Sequence, residues 1–185
     1  PPFGGIEEPG IEAGFPADVR TKETADLFLV LIQHLLKPGG RAAVVLPDNV
    51  LFEAGVGADV RRDLMDKCRL HTILRLPTGI FYAQGVKANV IFFDRKPGAK
   101  DPWTKKVWFY DLRTNIPQFG KRTPLTRAHF ADFEACFGSD SKGKNARVEQ
   151  GEKGRFRRYT RNEIKARGNN LDIAWLKEEG STSDQ

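Results

Sequence analysis

The sequence predicts an α/β fold, a layer of strands joined by helices. Helical stretches alternate with short runs rich in Val and Ile over the first half of the chain, and further runs then follow one another without a helix between them. Alternation of helix and strand is typical of right-handed crossover connections, whereas successive strands favour antiparallel pairing. We therefore expect one α/β layer with an antiparallel edge.

Length and composition are those of a globular domain. One domain is the natural expectation for 185 residues, of which 39% are hydrophobic and 29% charged. No apolar run approaches the ~20 residues of a membrane span and no signal peptide is visible, so we expect a cytoplasmic protein. Cys68 and Cys136 are too few for a disulfide framework or a zinc site, and we expect both to be buried as small hydrophobes in a reducing compartment.

The positive charge is concentrated in one segment. The chain carries a net charge of +6, and residues 141–168 hold ten Lys and Arg against three Asp and Glu, a net of +7. The remainder is therefore close to neutral, at about −1. A basic segment on a near-neutral body favours a polyanion as partner, although a solvated, partly disordered tail explains the charge equally well.

The first helix and strand are predicted between residues 21 and 47. A helix capped by Thr21 or Thr24 carries apolar residues on all its faces, which predicts heavy burial, and the glycines after Lys37 end it. The Val-rich run 41–47 follows at once and has no polar interruption. Such a run is typical of a parallel strand covered on both faces.

A short helix and three strands follow. Val60, Leu64 and Cys68 recur at helical spacing, which leaves Arg61 and Arg62 to face water. Apolar runs predict the strands, which we place at 70–77, 86–93 and 105–112.

The last third of the chain changes character. Three Phe residues on one face predict a helix that Gly138 ends, and Thr160 with Glu163 forms a capping box for a short helix at 161–167. Between them lies a stretch poor in apolar residues, which predicts a linker or disordered loop. The predicted units are 1–113 (the strands and helices above), 114–138 (helical segment), 139–154 (linker or loop) and 155–185 (basic extension).

Several short motifs follow one another in a set order along the chain: Pro1-Pro2-Phe3, then 39–47, Leu51-Phe52, Val60-Arg61, 74–77, Phe81 and 85–93. In this order they resemble one enzyme family, the methylation subunits of type I restriction–modification systems. The resemblance covers residues 1–95 well, returns at 161–173, and is loose in between. Members are adenine-N6 DNA methyltransferases that use S-adenosylmethionine. The resemblance implies the second half of a Rossmann-like methyltransferase domain with a C-terminal extension.

The resemblance also implies a catalytic loop formed by Pro1, Pro2 and Phe3. In the family this sequence is preceded by an Asn, which would stand directly before Pro1. The Asn side chain and the Pro1 carbonyl would hold the adenine amine, the prolines would stiffen the loop, and Phe3 would stack on the extruded base.

A second aromatic is implied on the other side of the base. In similar enzymes it lies at the end of a strand like 86–93, where Phe93 matches best. Phe92 points to the opposite face of that strand, so only one of the two can serve. Both being core residues is an equally good interpretation.

The family's cofactor turn precedes the Pro-Pro-Phe motif, and no such turn is visible here. Gly55-Val56-Gly57 lacks the third glycine and the following acidic residue, so we expect a loop there. We therefore expect S-adenosylmethionine to bind mostly outside this chain, and the chain alone to be inactive. We assign no metal role to the three histidines, which lack ligand spacing.

Partners are implied by the resemblance and by the basic segment. We expect double-stranded DNA, a specificity subunit, a second methylation subunit and possibly a restriction subunit. The candidate contacts to DNA or to a subunit are Arg155, Arg157, Arg158 and Arg161, interleaved with Phe156 and Tyr159.

Alternatives remain open. Pro-Pro-aromatic pockets also serve methylation of rRNA guanine and of protein glutamine, although the order of motifs favours the type I family. A non-catalytic module for DNA binding or assembly is the alternative from another class. Asp48 and Asn49, after a predicted strand, either lie near substrate or cap a loop.

Overall fold

The structure, a computed structural model, describes residues 1–83 and 85–179. Five strands form one sheet with the order β1-β3-β2-β4-β5. The strands are β1 (Arg41–Pro47), β2 (Cys68–Arg75), β3 (Ala88–Arg95), β4 (Lys106–Asp111) and β5 (Phe156–Thr160). The helices are α1 (Thr24–Leu35), α2 (Asn49–Phe52), α3 (Val56–Lys67), α4 (Ala131–Phe137) and α5 (Arg161–Ala166), with 3₁₀ turns at Ile11–Gly14, Ala17–Val19 and Arg127–Phe130. None of these helices is long and apolar enough to cross a membrane.

The directions of the strands combine crossovers with antiparallel returns. Strands β1, β2 and β4 run one way, and β3 runs against both β1 and β2, between which it is inserted. Strand β5 pairs antiparallel with β4 and forms the predicted antiparallel edge. The expectation that β1 pairs in parallel is wrong, because its only neighbour in the described part of the sheet is the antiparallel β3. Its expected coverage on both faces is confirmed, since Val44 and Leu46 belong to the first core cluster and Val45 packs against the second. An apolar run indicates that a strand is buried, but it does not indicate whether the strand pairs in parallel or antiparallel.

Both faces of the sheet are covered. The first core cluster lies on the side of α1, α3 and α5, and the second lies on the side of α4. Alternation along β4 shows the division: Val107 and Phe109 belong to the first cluster, whereas Trp108 and Tyr110 belong to the second.

Helix α1 is less buried than predicted. Leu29 and Val30 are buried, but Phe28, Leu31 and Leu35 are 37%, 39% and 73% exposed. No side chain caps its N-terminus; the Thr24 N–H donates to the Gly5 carbonyl instead (3.1 Å). The opposite face of α1 packs against the first core cluster, so only one face of the helix is covered.

Arg61 is a correction to the sequence prediction, which placed it in water beside Arg62. It is 1% exposed, and its guanidinium donates to the carbonyls of Val50 (2.9 Å), Glu53 (2.6 Å) and Asn169 (2.7 Å). Burial lowers the pKa of this guanidinium. Arg62 is exposed and pairs with Asp59 at 2.8 Å. Helical spacing predicted the helix but not these carbonyl partners, of which two lie 11 and 8 residues before Arg61 and the third lies 108 residues after it.

The C-terminal elements follow the prediction closely. Gly138, with φ of +85°, ends α4, and both hydrogen bonds of the capping box between Thr160 and Glu163 begin α5. Segment 139–154 has no helix or strand, although Arg147 reaches the Thr72 hydroxyl (2.8 Å). The unit boundaries stay predictions, and residues 180–185 of the predicted extension lie outside the described residues.

Candidate base-binding site

Two aromatic rings meet where the N-terminal segment reaches the sheet. Phe3 packs against the second core cluster, and its ring lies 5.0 Å from that of Phe81 at an angle of 76°. Gly5, with φ of +133°, lies beside the start of α1, where its carbonyl accepts the Thr24 N–H (3.1 Å). Phe81 belongs to the connection between β2 and β3, residues 76–87, of which Gln84 is not described. The site thus brings together residues almost eighty positions apart.

Phe93 does not lie beside Phe3. It is completely buried in the first core cluster, on the face of the sheet away from the cluster that Phe3 contacts. Phe92 points to the second cluster, where its ring contacts those of Phe133 (5.9 Å) and Phe137 (5.1 Å). The alternation of the two residues is as predicted, but Phe81 is the aromatic that approaches Phe3. Strand periodicity could not identify Phe81, because this residue lies in a connection outside the strands.

The connection that carries Phe81 is held at both ends by Arg113. The Arg113 guanidinium donates to the carbonyls of Leu76 (2.9 Å) and Ala88 (2.8 Å), which flank the connection. It also donates to both carboxylate oxygens of Asp48 (2.7 and 3.0 Å). Asn89 donates to the same carboxylate at 2.7 Å. Asp48 is therefore part of an ion pair that fixes the connection; it makes no side-chain cap to α2.

A second ion pair lies next to the first. Arg75, at the end of β2, contacts Asp111, at the end of β4, at 3.1 Å. Burial alone would raise the pKa of Asp111, but the backbone N–H groups of Thr114 and Arg113 and the Arg75 guanidinium hold that pKa below its ordinary value. Charged side chains thus join the carboxyl ends of β1, β2 and β4, next to the connection that carries Phe81.

A cleft of about 1140 Å³ opens beside Phe81. One wall is the connection at 79–82 and the other is the segment 119–125. The Phe119 N–H donates to the Thr78 carbonyl (3.0 Å), which ties the walls together at one end. Tyr82 is 98% exposed. The cleft combines aromatic rings with the cations Lys121 and Arg122.

Comparison with known proteins identifies the family. The family model described as N-6 DNA Methylase matches residues 1–185. The chain belongs to the N-6 DNA methylase family. It is 46% identical to the methylase subunit of the type I restriction enzyme StySJI of Salmonella typhimurium, over 98% of this chain and 39% of that protein.

Solved structures agree with this assignment. The EcoKI M protein superimposes with a TM-score of 0.82 and 46% identity, over 88% of this chain and 40% of that one. A chain from a study of complex assembly in a type I restriction–modification system superimposes with a TM-score of 0.74 and 30% identity, over all of this chain and 38% of that one. The chain thus spans about two fifths of the length of these relatives. Its fold is part of a methyltransferase domain.

Most of the predicted C-terminal arginines of the methylase have partners within the chain. Arg155 donates to the carbonyls of Asp111 (3.0 Å) and Thr114 (2.8 Å). Arg161 donates to Asn169 (2.7 Å), and Arg157 lies 3.6 Å from Glu149. Arg158 is exposed above the ring of Trp108. The predicted alternation along β5 is present, with Phe156 in the second core cluster and Tyr159 packed against the first.

The glycine pair before α3 does not form a cofactor cradle. Val56 and Gly57 belong to the first turn of α3, so the expected loop is wrong. A Cβ placed at Gly57 would meet the Glu53 Cβ at 3.2 Å and an Arg61 nitrogen at 3.4 Å, so the methylase fills this space with its own side chains. The turn therefore does not fit S-adenosylmethionine. Nor do the described residues contain a group of His, Cys, Asp and Glu side chains that could hold a metal ion.

Proposed function

We propose that this methylase is the modification subunit of a type I restriction–modification system, and that it methylates the N6 amine of adenine in double-stranded DNA. The observation that carries the proposal is the contact of Phe3 with Phe81, a residue that lines the cleft. Adenine must leave the duplex before its amine can be reached, and an extruded base needs an apolar, aromatic surface to replace its stacking. Phe3 and Phe81 supply that surface.

Pro1 and Pro2 have a separate role in the proposal. The amine nitrogen of adenine is a weak nucleophile because its lone pair is delocalised into the ring. We propose that the Pro1 carbonyl and the Asn that the family places before it accept hydrogen bonds from this amine. The proline rings restrict the backbone that presents the carbonyl. The amine loses one proton for the methyl group that it gains.

The methyl donor in the proposal is S-adenosylmethionine, bound mainly by residues outside this chain. The support is local: Gly57, the second glycine of the pair at the start of α3, is packed against Glu53 and Arg61. Residues 1–185 are accordingly proposed to be inactive alone. Calorimetric titration of residues 1–185 with S-adenosylmethionine should show no tight binding, whereas the full-length protein should bind. Tight binding by residues 1–185 would contradict this part.

The proposed partners are double-stranded DNA, a specificity subunit that selects the sequence, a second modification subunit and a restriction subunit. The basic segment 141–168 and exposed Arg158 support a contact with DNA or with a subunit. Arg155, Arg157 and Arg161 are proposed to shape that surface, since each has a partner within the chain. The cytoplasm is the proposed compartment.

The test uses the full-length methylase assembled with its specificity subunit. Transfer of labelled methyl to duplex DNA, rRNA and a release-factor protein is compared, and N6-methyladenine in the DNA is the expected product. Phe3→Leu and Phe81→Leu remove an aromatic face, which is worth about 1–3 kcal/mol per stacked base, so kcat/KM should fall by roughly 5- to 150-fold. Phe92→Leu is the control and should methylate as wild type. Transfer to RNA or protein alone would overturn the proposal.

A further inference from the structure

The segment opposite Phe81 contains a tight two-residue turn. Gly120 and Thr123 exchange both backbone hydrogen bonds, from Gly120 N–H to the Thr123 carbonyl (3.1 Å) and from Thr123 N–H to the Gly120 carbonyl (3.2 Å). This pattern is that of a hairpin closed by two residues. Lys121 and Arg122 are those two residues, so both cations stand at the tip.

The turn is fixed to the connection that carries Phe81. The Phe119 N–H donates to the Thr78 carbonyl at 3.0 Å, and the ring of Phe119 lies 4.8 Å from that of His129. Gly79 has φ of +79°, and a Cβ there would collide with the Phe119 carbonyl oxygen. The two walls of the cleft therefore touch through backbone atoms, and Lys121 and Arg122 hold a set position relative to Phe81.

Both cations lack a partner within the described chain. Lys121 and Arg122 are exposed, and neither side chain makes a hydrogen bond, an ion pair or a ring contact with residues 1–83 or 85–179. Arg113 differs, because its guanidinium donates to the carbonyls of Leu76 and Ala88 and to the Asp48 carboxylate. Two adjacent unpaired cations at the mouth of an aromatic cleft are suited to an anionic ligand that continues beyond the cleft.

We propose that the Lys121–Arg122 turn binds the DNA backbone phosphates that flank the extruded adenine. This inference rests on the proposed function and adds the element that holds the strand. Extrusion rotates a nucleotide about its backbone, and the flanking phosphates must then follow a path that differs from the duplex. Lys121 and Arg122 stabilise this path of the phosphates. The connection at 76–87 carries the Phe81 ring and is bonded to Phe119, so it sets the positions of both the ring and the two cations.

The experiment measures the salt dependence of DNA binding by the full-length methylase with its specificity subunit. Each phosphate contact contributes about 0.9 to the slope of log K against log salt concentration. The double variant Lys121→Ala/Arg122→Ala should reduce the magnitude of that slope by about 2, so that its affinity gains about tenfold less than that of the wild type as salt falls from 200 to 50 mM. Lys37→Ala/Arg41→Ala removes two exposed cations at the other end of β1, and it should keep the wild-type slope.

Neutral phosphate analogues locate the contact. Methylphosphonates on either side of the target adenine should weaken binding by the wild type several-fold and leave binding by the Lys121→Ala/Arg122→Ala variant unchanged. A wild-type slope in the variant, or equal sensitivity of both proteins to the methylphosphonates, would overturn the inference. Methylation of adenine by the wild type is measured in the same preparation. Its absence would reject the proposed function, whereas methylation together with an unchanged slope would reject the phosphate contact alone.

Discussion

Arg113 and Asp48 form a bidentate ion pair, with Nη1 at 2.7 Å from Oδ2 and Nη2 at 3.0 Å from Oδ1. Asp48 follows β1 and Arg113 follows β4, so the pair joins strands that are separated in the sheet by β3 and β2. The same guanidinium contacts both ends of the connection that carries Phe81. The pair therefore links the sheet to the position of the ring that approaches Phe3.

Loss of the Arg113 side chain should destabilise the protein and release Phe81. The side chains of Arg113 and Asp48 are 9% and 16% exposed, and an unpaired carboxylate in such a place costs about 3–5 kcal/mol. We expect Arg113→Met in the full-length methylase to lower Tm by several degrees. The double variant Asp48→Asn/Arg113→Met removes the stranded charge and should recover much of the Tm.

Fluorescence of 2-aminopurine at the target position separates the two roles of Arg113. If Arg113 positions the connection, both variants should lose the signal of the extruded base, although only the single variant loses stability. If the double variant recovers both the Tm and the 2-aminopurine fluorescence of the wild type, the ion pair serves stability alone.

Substitution by alanine should lower Tm far more at Arg61 than at Arg62. Arg61→Ala leaves the carbonyls of Val50, Glu53 and Asn169 without their donor, and each buried unsatisfied group costs about 1–3 kcal/mol. We expect a large fall in Tm for Arg61→Ala and a change of about a degree for Arg62→Ala, whose partner Asp59 is exposed. Equal Tm values for the two variants would contradict the burial of Arg61.

Gly79→Ala should detach the segment 119–125 from the connection. The added methyl group collides with the Phe119 carbonyl, and φ of +79° is unfavourable for alanine. Trypsin cuts after Lys121 and Arg122, so we expect faster cleavage there in Gly79→Ala. Gly85→Ala lies in the same connection with no atom within 4 Å of its new methyl group, and it should be cut at the wild-type rate. Unchanged cleavage in Gly79→Ala would argue against the contact.

Asp26 should make stability depend on pH. It is 2% exposed, and burial, with a smaller effect of Glu53, raises its pKa from 3.8 to about 6, against the attraction of Arg61. The folded protein therefore binds more protons than the unfolded chain between pH 4 and 6, and the contribution of Asp26 to the free energy of unfolding falls as pH rises through that window. We expect Asp26→Asn to raise stability at pH 7.5 by about 1–3 kcal/mol and to have little effect near pH 4. Thermal unfolding across this range checks the difference, and a variant less stable at pH 7.5 would contradict it.

Some elements of the fold were predicted correctly from the sequence, and others were not. The capping box at Thr160 and the end of α4 at Gly138 depend on neighbouring residues, and both were predicted correctly. The insertion of β3 between β1 and β2 depends on pairing over long separations, which an apolar run does not encode. The burial of Arg61 likewise depends on Asn169, more than a hundred residues away.

In the candidate site, too, some features were predictable from local sequence and others depended on tertiary contacts. The sequence by itself determined the family and the alternation of Phe92 and Phe93, since these depend on residue type and on the two-residue period of a strand. The catalytic role of Pro1-Pro2-Phe3 stays a prediction. The tertiary structure alone decided which ring approaches Phe3 and which cations are free. Phe81 reaches that position because Arg113 holds both ends of its connection, and Lys121 and Arg122 stand beside it because the Phe119 carbonyl packs against a glycine. Both features depend on contacts between segments that are far apart in the chain, and local sequence patterns do not encode such contacts.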